Sequence, residues 1–80
     1  MYKVYALYSE KFNKIYIGFT ADIELRMKYH NEISEKGWTC RFRPWKLIYS
    51  EDYQTKQEAM KREKQLKSFR GREFIRSLIK

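Results

Sequence analysis

The chain contains few of the residues that cross-link or interrupt a polypeptide, with one cysteine, one proline and three glycines among 80 residues. Because Cys40 is the only thiol, no disulfide can form within the chain, and a reducing, cytoplasmic compartment is expected. The single histidine has no cysteine or histidine neighbours at zinc-binding spacing. No apolar run approaches the roughly 20 residues that span a bilayer, and the first residues lack the apolar stretch of a signal peptide. These absences favour a folded domain with no membrane partner.

Positive charge is in excess, with 18 Lys and Arg against 10 Asp and Glu and a net charge of +8. Two segments hold this excess. Residues 36–46 carry four cations and no acid, for +4, and residues 56–80 carry nine cations against three acids, for +6. A polyanion such as nucleic acid is the simplest partner for this distribution, and a merely solubilising surface is the alternative.

Three segments have the composition of β-strands. Aromatic and β-branched residues predict strands over residues 2–9, 15–19 and 45–50. The connection between the first two is short, so these strands should form an antiparallel hairpin. In the second strand Ile15 and Ile17 face one side while Tyr16 and Gly18 face the other, and Gly18 should leave open space beside Tyr16.

Three amphipathic patterns predict helices. They should run from a cap at Thr20 or Asp22 to about Ile33, from a cap at Thr55 to about Ser68, and, after an interruption at Gly71, over residues 74–79. Residues 34–44 are expected to form a loop. The order ββαβαα predicts one α+β domain over residues 1–80, with a small three-stranded antiparallel sheet flanked by helices.

Several polar side chains fall where apolar residues would be expected. On the first helix Arg26 and His30 share a sector with Ile23, so the guanidinium should be partly buried and in need of an anion. On the second helix Glu63 lies on the inward stripe, where a carboxylate needs a cationic partner or a metal ion. The structural alternatives are a packed histidine and an ion pair between Glu63 and Lys67, one turn apart.

The order of these residues resembles the GIY-YIG nuclease superfamily and is most similar to its small stand-alone members. The resemblance covers nearly the whole chain and rests on Val4-Tyr5-Ala6, on Tyr16-Ile17-Gly18 followed by Arg26 and His30, on Arg43-Pro44-Trp45-Lys46-Leu47, and on Glu63-Lys64-Gln65-Leu66-Lys67. The first motif keeps only its tyrosine. No asparagine follows Glu63 where many members have one, so Arg72 or Arg76 would replace its contact.

The resemblance implies a metal-dependent endonuclease that hydrolyses a DNA phosphodiester by water attack, leaving 5′-phosphate and 3′-hydroxyl ends, in DNA repair or recombination. Tyr5 would accept the proton of the attacking water, and Tyr16 would orient the water or the phosphate. Arg26 would clamp the phosphate, and His30 would relay a proton or contact the phosphate. Glu63 would hold a single divalent cation, Mg²⁺ or an ion such as Mn²⁺.

Cations and aromatic rings alternate in the predicted loop and recur near the C-terminus, a combination suited to following a nucleic-acid backbone and stacking on bases. The residues predicted to contact nucleic acid are Trp38, Arg41, Arg43, Lys46, Lys67, Arg70 and Arg72. Two other functions remain compatible with the sequence. One is a nucleic-acid-binding module without turnover, and the other is a subunit that cleaves only when a protein partner positions the substrate.

Overall fold

A three-stranded antiparallel sheet organises the fold. The computed structural model describes residues 1–33 and 37–79, so part of the predicted loop and Lys80 lie outside it. The strands are β1 (Tyr2–Ser9), β2 (Lys14–Thr20) and β3 (Lys46–Tyr53), in the spatial order β2-β1-β3. The predicted hairpin of β1 and β2 is confirmed, with Tyr5 opposite Gly18 and Leu7 opposite Tyr16. β1 is therefore central, and β3 runs three residues beyond its predicted end.

Helices complete the predicted α+β order, ββαβαα, which is confirmed. Helix α1 spans Ile23–Lys28 and continues into a π-helical turn over Tyr29–Ile33, while α2 spans Lys56–Lys67 and α3 spans Phe69–Ser77. The side chains of Asp22 and Thr55 cap α1 and α2 by accepting the N–H groups of Leu25 and Glu58. A 3₁₀ turn, Thr39–Phe42, lies within the predicted loop. No helix in the described part of the chain is both long and apolar enough to cross a membrane.

The alternation of side chains along β1 divides the core into two clusters. Val4 and Ala6 pack on the side of α2 and α3, against Ala59, Leu66 and Ile75. Tyr5 and Leu7 pack on the side of α1, against Trp45, Ile23 and Met27. Both faces of β1 are therefore covered, which is why four consecutive residues of this strand are buried. The Tyr5 phenol lies in the second cluster.

The prediction that Gly71 interrupts the last helix is wrong, because Gly71 lies inside the first turn of α3. The break between α2 and α3 is at Ser68, whose Oγ donates to the carbonyl of Gln65 and accepts from Gly71 N–H. A Cβ at Gly71 would collide with the main chain of Gln65 and Leu66. This glycine allows two helix backbones to touch and does not end a helix.

A carboxylate on β3 joins the sheet to α2. Glu51 accepts two hydrogen bonds from Arg62, from Nε at 2.9 Å and from Nη2 at 3.0 Å, and also accepts the hydroxyls of Tyr49 and Tyr53. Burial alone would raise the pKa of this carboxyl, but the bonds from Arg62 and the two phenols lower it to about 2. Glu51 is therefore ionised at neutral pH, and its charge is fully partnered.

Candidate active site

The hairpin brings two phenols to the face of the sheet that packs on α1. Tyr5 on β1 and Tyr16 on β2 both lie in the second cluster, with ring centroids 6.2 Å apart. A Cβ at Gly18 would stand 2.9 Å from Tyr5 Oη and 3.0 Å from Tyr16 Cε2. The open space expected beside Tyr16 is thus filled by the phenol of Tyr5. Glycine at position 18 is what permits this approach.

His30 lies behind the Tyr5 phenol, in the π-helical turn. Its Nε2 is 3.0 Å from Tyr5 Oη, its Nδ1 is 3.1 Å from Thr39 Oγ1, and the residue is only 2% exposed. Burial, reinforced by the positive charges of Arg26 and Arg43, lowers the pKa of the imidazole to about 4. His30 is therefore neutral near pH 7, with one ring nitrogen able to accept a proton.

The neighbours of this pair favour one tautomer of the imidazole. The positive charge of Arg26 lowers the pKa of Tyr5 against the effect of burial, so it favours the phenol oxygen turning a lone pair toward the guanidinium and its O–H away from it. The Tyr5 O–H is then left to donate to His30 Nε2, and we assign the ring proton to Nδ1, from which it donates to Thr39 Oγ1. In this arrangement the nitrogen next to the phenol is the proton acceptor.

Tyr5 itself is protonated at neutral pH. Burial raises the pKa of its phenol to about 12, with further contributions from Tyr16 and Glu63, and Arg26 offsets only part of this rise. No preformed phenolate is available near pH 7. A role as general base therefore requires Tyr5 to lose its own proton to His30 as it accepts another.

Arg26 is the cation of the site. Burial would lower the pKa of its guanidinium, but hydrogen bonding and charge interactions with Tyr5 and Tyr16 raise it, so the group stays charged. The same guanidinium lies 5.1 Å from the ring centroid of Tyr29. Its Nε is buried and has no hydrogen-bond partner in the part of the chain that the structure describes. A phosphate oxygen is the kind of acceptor that would satisfy this N–H.

Glu63 approaches the site from α2. Its side chain is 20% exposed, so it lies at the edge of the core, and its Oε1 is 3.3 Å from Lys67 Nζ. The charge of Glu63 makes a small contribution to the raised pKa of Tyr5. Lys67 is thus the cationic partner of Glu63, as the ion-pair alternative predicted.

The donor set at Glu63 suits a hydrated cation better than a closed metal centre. In residues 1–33 and 37–79, no three His, Cys, Asp or Glu side chains converge on a possible metal site. Mg²⁺ keeps several waters and is commonly held by one or two carboxylates together with substrate phosphates. One largely buried carboxylate, joined by a substrate phosphate, fits such an ion. Glu63 would be its protein ligand, in competition with Lys67.

Three of the residues predicted to contact nucleic acid line one cleft beside Tyr16. This cleft of about 320 Å³ is lined by Ile15, Tyr16, Ile17, Trp38, Lys67 and Arg72. The indole of Trp38 lies 6.4 Å from the ring of Tyr16, with the two planes 28° apart. The cleft therefore joins aromatic and cationic side chains to one of the two phenols.

The other predicted contacts lie elsewhere. Arg41, Lys46 and Arg70 are exposed but do not line this cleft. Arg43 donates from Nε to the carbonyl of His30 at 2.6 Å, so part of its guanidinium closes the π-helical turn. Arg76 donates to Asn13, in the turn between β1 and β2. Of the two arginines considered as replacements for the missing asparagine, only Arg72 lies at the cleft.

Sequence reasoning missed Thr39, the partner of His30 Nδ1. Thr39 is buried, and its carbonyl accepts the indole N–H of Trp45 at 2.7 Å. The amide of Asn31 bonds both main-chain groups of Trp45, at 2.7 and 3.1 Å, and so ties the π-helical turn to the residue that precedes β3. A threonine in a polar loop gives no periodic signal, and its distance from His30 depends on the path of that loop. Nothing in the sequence could have identified this pair.

Comparison with known proteins agrees with the class that the motif order suggested. The family described as the GIY-YIG catalytic domain matches residues 1–73, and the chain belongs to this family, within the GIY-YIG nuclease superfamily. The predicted resemblance is confirmed.

Its relatives include small proteins of the UPF0213 group. The UPF0213 protein SH2523 of Staphylococcus haemolyticus is 34% identical over 68 residues, which cover 85% of this chain and 83% of that protein. A UPF0213 protein of Staphylococcus aureus is 38% identical over 66 residues, 82% of this chain and 79% of its own. The solution NMR structure of the UPF0213 protein BH0048 from Bacillus halodurans matches 99% of this chain and 86% of that one, with 28% identity and a TM-score of 0.56.

Proposed function

We propose that this protein is a metal-dependent endonuclease that hydrolyses DNA phosphodiester bonds by attack of water, with Tyr5 as the general base. Membership of the superfamily supports nuclease activity in general. The hydrogen-bonded series Tyr5–His30–Thr39 beside Arg26 is the observation that carries the particular assignment. It joins a proton acceptor to a cation with an unsatisfied N–H, the two elements that attack on a phosphodiester requires.

The protonation states define the proton path. As the water oxygen forms its bond to phosphorus, a water proton passes to Tyr5 Oη and the Tyr5 proton passes to His30 Nε2. The bond from phosphorus to the 3′-oxygen breaks, and the products carry a 5′-phosphate and a 3′-hydroxyl. His30 is neutral in the resting site, so it can accept the proton transiently, and its low pKa favours rapid release of that proton through solvent to the leaving 3′-oxygen.

The remaining residues stabilise and orient the reacting groups. Arg26 donates from Nε to a nonbridging phosphate oxygen, where negative charge develops in the transition state. Tyr16, beside Tyr5, orients the water or the phosphate. Glu63 would hold Mg²⁺ or Mn²⁺, and such an ion would stabilise the charge that develops on the leaving oxygen. Arg41, Arg43, Lys46 and Arg70 extend the contact along the DNA backbone through their positive charge.

A second candidate is a nucleic-acid-binding module that lacks turnover or depends on a protein partner. The Glu63–Lys67 ion pair favours it, because the carboxylate assigned to the metal already has a cationic partner at 3.3 Å. A module of this kind binds nucleic acid in a salt-sensitive manner and yields no Mg²⁺-dependent products. A partner-dependent subunit is silent alone and cleaves within its complex.

The proposal is tested by Mg²⁺-dependent cleavage of supercoiled, branched and single-stranded DNA by the wild type, Tyr5→Phe and Glu63→Gln. Glu73→Gln is the matched control, since Glu73 is an exposed acid on α3 outside the site. The wild type and the control should cleave, and the two site variants should lose activity by roughly 100-fold or more. Cleavage by Glu63→Gln at the wild-type rate would contradict the site. Binding without cleavage by every protein would favour the second candidate.

A further inference from the structure

The cleft beside Tyr16 combines two kinds of chemistry. Trp38 and Tyr16 contribute aromatic rings, and Lys67 and Arg72 contribute cations. Its volume of about 320 Å³ is at the lower end of the range of ligand clefts, ~300–1,000 Å³. A nucleotide, with a flat base and an anionic phosphate, has the matching pair of groups.

Trp38 is a fixed aromatic platform. Its ring centroid lies 4.8 Å from that of Phe42, 5.6 Å from that of Trp45 and 6.4 Å from that of Tyr16. Although three rings contact the indole, Trp38 remains 46% exposed. Its orientation is therefore set before any ligand arrives, so little conformational entropy is lost when a second ring stacks on it. A large aromatic surface left open in this way is suited to a flat apolar partner.

The cations of the cleft are held near one another by the helix backbones. Lys67 ends α2 and Arg72 lies in α3, and the two helices touch at Gly71. The Lys67 side chain is 51% exposed even though it is paired with Glu63, and Arg72 is also exposed. Both side chains are therefore accessible to a phosphate without any rearrangement of the core. The net charge of +8 adds a field of the same sign.

We propose that this cleft binds one unpaired nucleotide of a DNA strand, its base stacked on Trp38 and its phosphate on Lys67 and Arg72. This inference rests on the proposed nuclease function and specifies its substrate as DNA that is single-stranded, or that presents an extruded base, next to the scissile phosphate. Within a duplex both faces of each base are covered by the adjacent bases, so the indole can be used only by a base that has left the stack. Because Tyr16 lines the cleft and also adjoins Tyr5, the bound nucleotide lies next to the site of attack.

The test measures binding in EDTA, so that it does not depend on cleavage. Fluorescence anisotropy gives the affinity for a short labelled single strand and for the same strand in a fully paired duplex. Trp38→Phe keeps an aromatic face and Trp38→Leu keeps only an apolar group, while Leu25→Ala removes an exposed apolar side chain of α1 outside the cleft. Thermal unfolding confirms that all variants are folded at the assay temperature.

The wild type, Trp38→Phe and Leu25→Ala should bind the single strand more tightly than the duplex. Trp38→Leu should lose roughly 5- to 150-fold in affinity for the single strand, the equivalent of ~1–3 kcal/mol per stacked base. Its affinity for the duplex should change by less than about twofold, since that contact is mainly to phosphates. Equal losses for both DNAs, or no loss for the single strand, would overturn the proposal.

Tryptophan fluorescence provides a direct second readout. The chain has two tryptophans, and Trp45 is only 4% exposed, so quenching by a stacked base must come from Trp38. The single strand should quench the wild type and leave Trp38→Phe unchanged, and quenching of Trp38→Phe would refute the stacking. A Trp38-dependent preference for single strands without Mg²⁺-dependent cleavage would refute the nuclease and support the cleft. Cleavage without any such preference would do the reverse.

Discussion

Acid should destabilise this protein through His30. The imidazole has a pKa of about 4 in the folded protein, because it is buried and close to Arg26 and Arg43, whereas an unfolded histidine titrates at about 6.5. Between these two values the unfolded chain binds one more proton than the folded chain, so the free energy of unfolding falls as the pH falls. This contribution of His30 to the free energy of unfolding is fully present above about pH 7 and is lost progressively between about pH 6.5 and 4.

The expected size follows from the two pKa values. A gap of about 2.5 units corresponds to ~3.4 kcal/mol at 1.36 kcal/mol per unit, and at about pH 4.5 roughly 2.5 kcal/mol of it is already lost. Relaxation around the protonated ring makes this an upper value. Small domains have total stabilities of ~5–15 kcal/mol, so such a loss is readily measured. Glu51, with a pKa of about 2, begins to lose its contribution only below the usual carboxyl range near 4.5.

Urea unfolding at several pH values between about 7 and 4.5 tests this, with His30→Gln as the control that cannot titrate. The wild type should lose about 2–3 kcal/mol over this interval, and the difference between wild type and His30→Gln should shrink as the pH falls. His30 is the only histidine, so NMR gives one unambiguous imidazole titration. A midpoint near pH 6.5 in the folded protein, or parallel pH dependence of both proteins, would refute the reasoning.

Three further predictions concern other parts of the fold. Gly18→Ala should reduce cleavage by roughly 100-fold while the chain stays folded, because the added Cβ would stand 2.9 Å from Tyr5 Oη; an unchanged rate in the cleavage assay would contradict this. Glu51→Gln removes the charge that Arg62 pairs with, so it should lower the free energy of unfolding at pH 7 by about 1–2 kcal/mol in urea titrations, a value reduced for the partial exposure of Glu51. A loss no larger than that of Asp52→Asn, a substitution of an exposed neighbour on β3, would refute this prediction. Lys67→Met removes the cation that pairs with Glu63, so it should tighten Mn²⁺ binding, measured without DNA by the EPR signal of free Mn²⁺. Equal Mn²⁺ affinities in the variant and the wild type would contradict the assignment of Glu63 as the metal ligand.

The layout of the fold could be predicted because each element carries a local signal. Alternation identified β1 and β2, a short connection made them a hairpin, and the caps at Asp22 and Thr55 located the starts of two helices. The prediction at Gly71 failed because the sequence alone does not distinguish a glycine within a helix from a glycine that follows a helix. What distinguishes them is the collision that a Cβ would have with the neighbouring helix.

Sequence reasoning could predict which side chains meet in the candidate site, but it could not predict their protonation states. The motif order grouped Tyr5, Arg26 and His30, and the structure brings these three side chains together. Neutral His30 and protonated Tyr5 depend on burial and on cations contributed by distant segments, which spacing alone does not encode. Thr39 was invisible for the same reason.

The contact of main chains at Gly71 sets the spacing of Lys67 and Arg72, the two cations proposed to bind a phosphate. Lys67 and Arg72 lie on either side of a junction that no side chain separates, so their spacing is a property of the backbone. Substitution of either cation can change how strongly an anion is bound but leaves its position the same. One added methyl group at position 71 would do the opposite, retaining both charges while moving them apart. In the proposed complex, the register of a DNA strand against Tyr16 therefore depends on a residue that does not line the cleft.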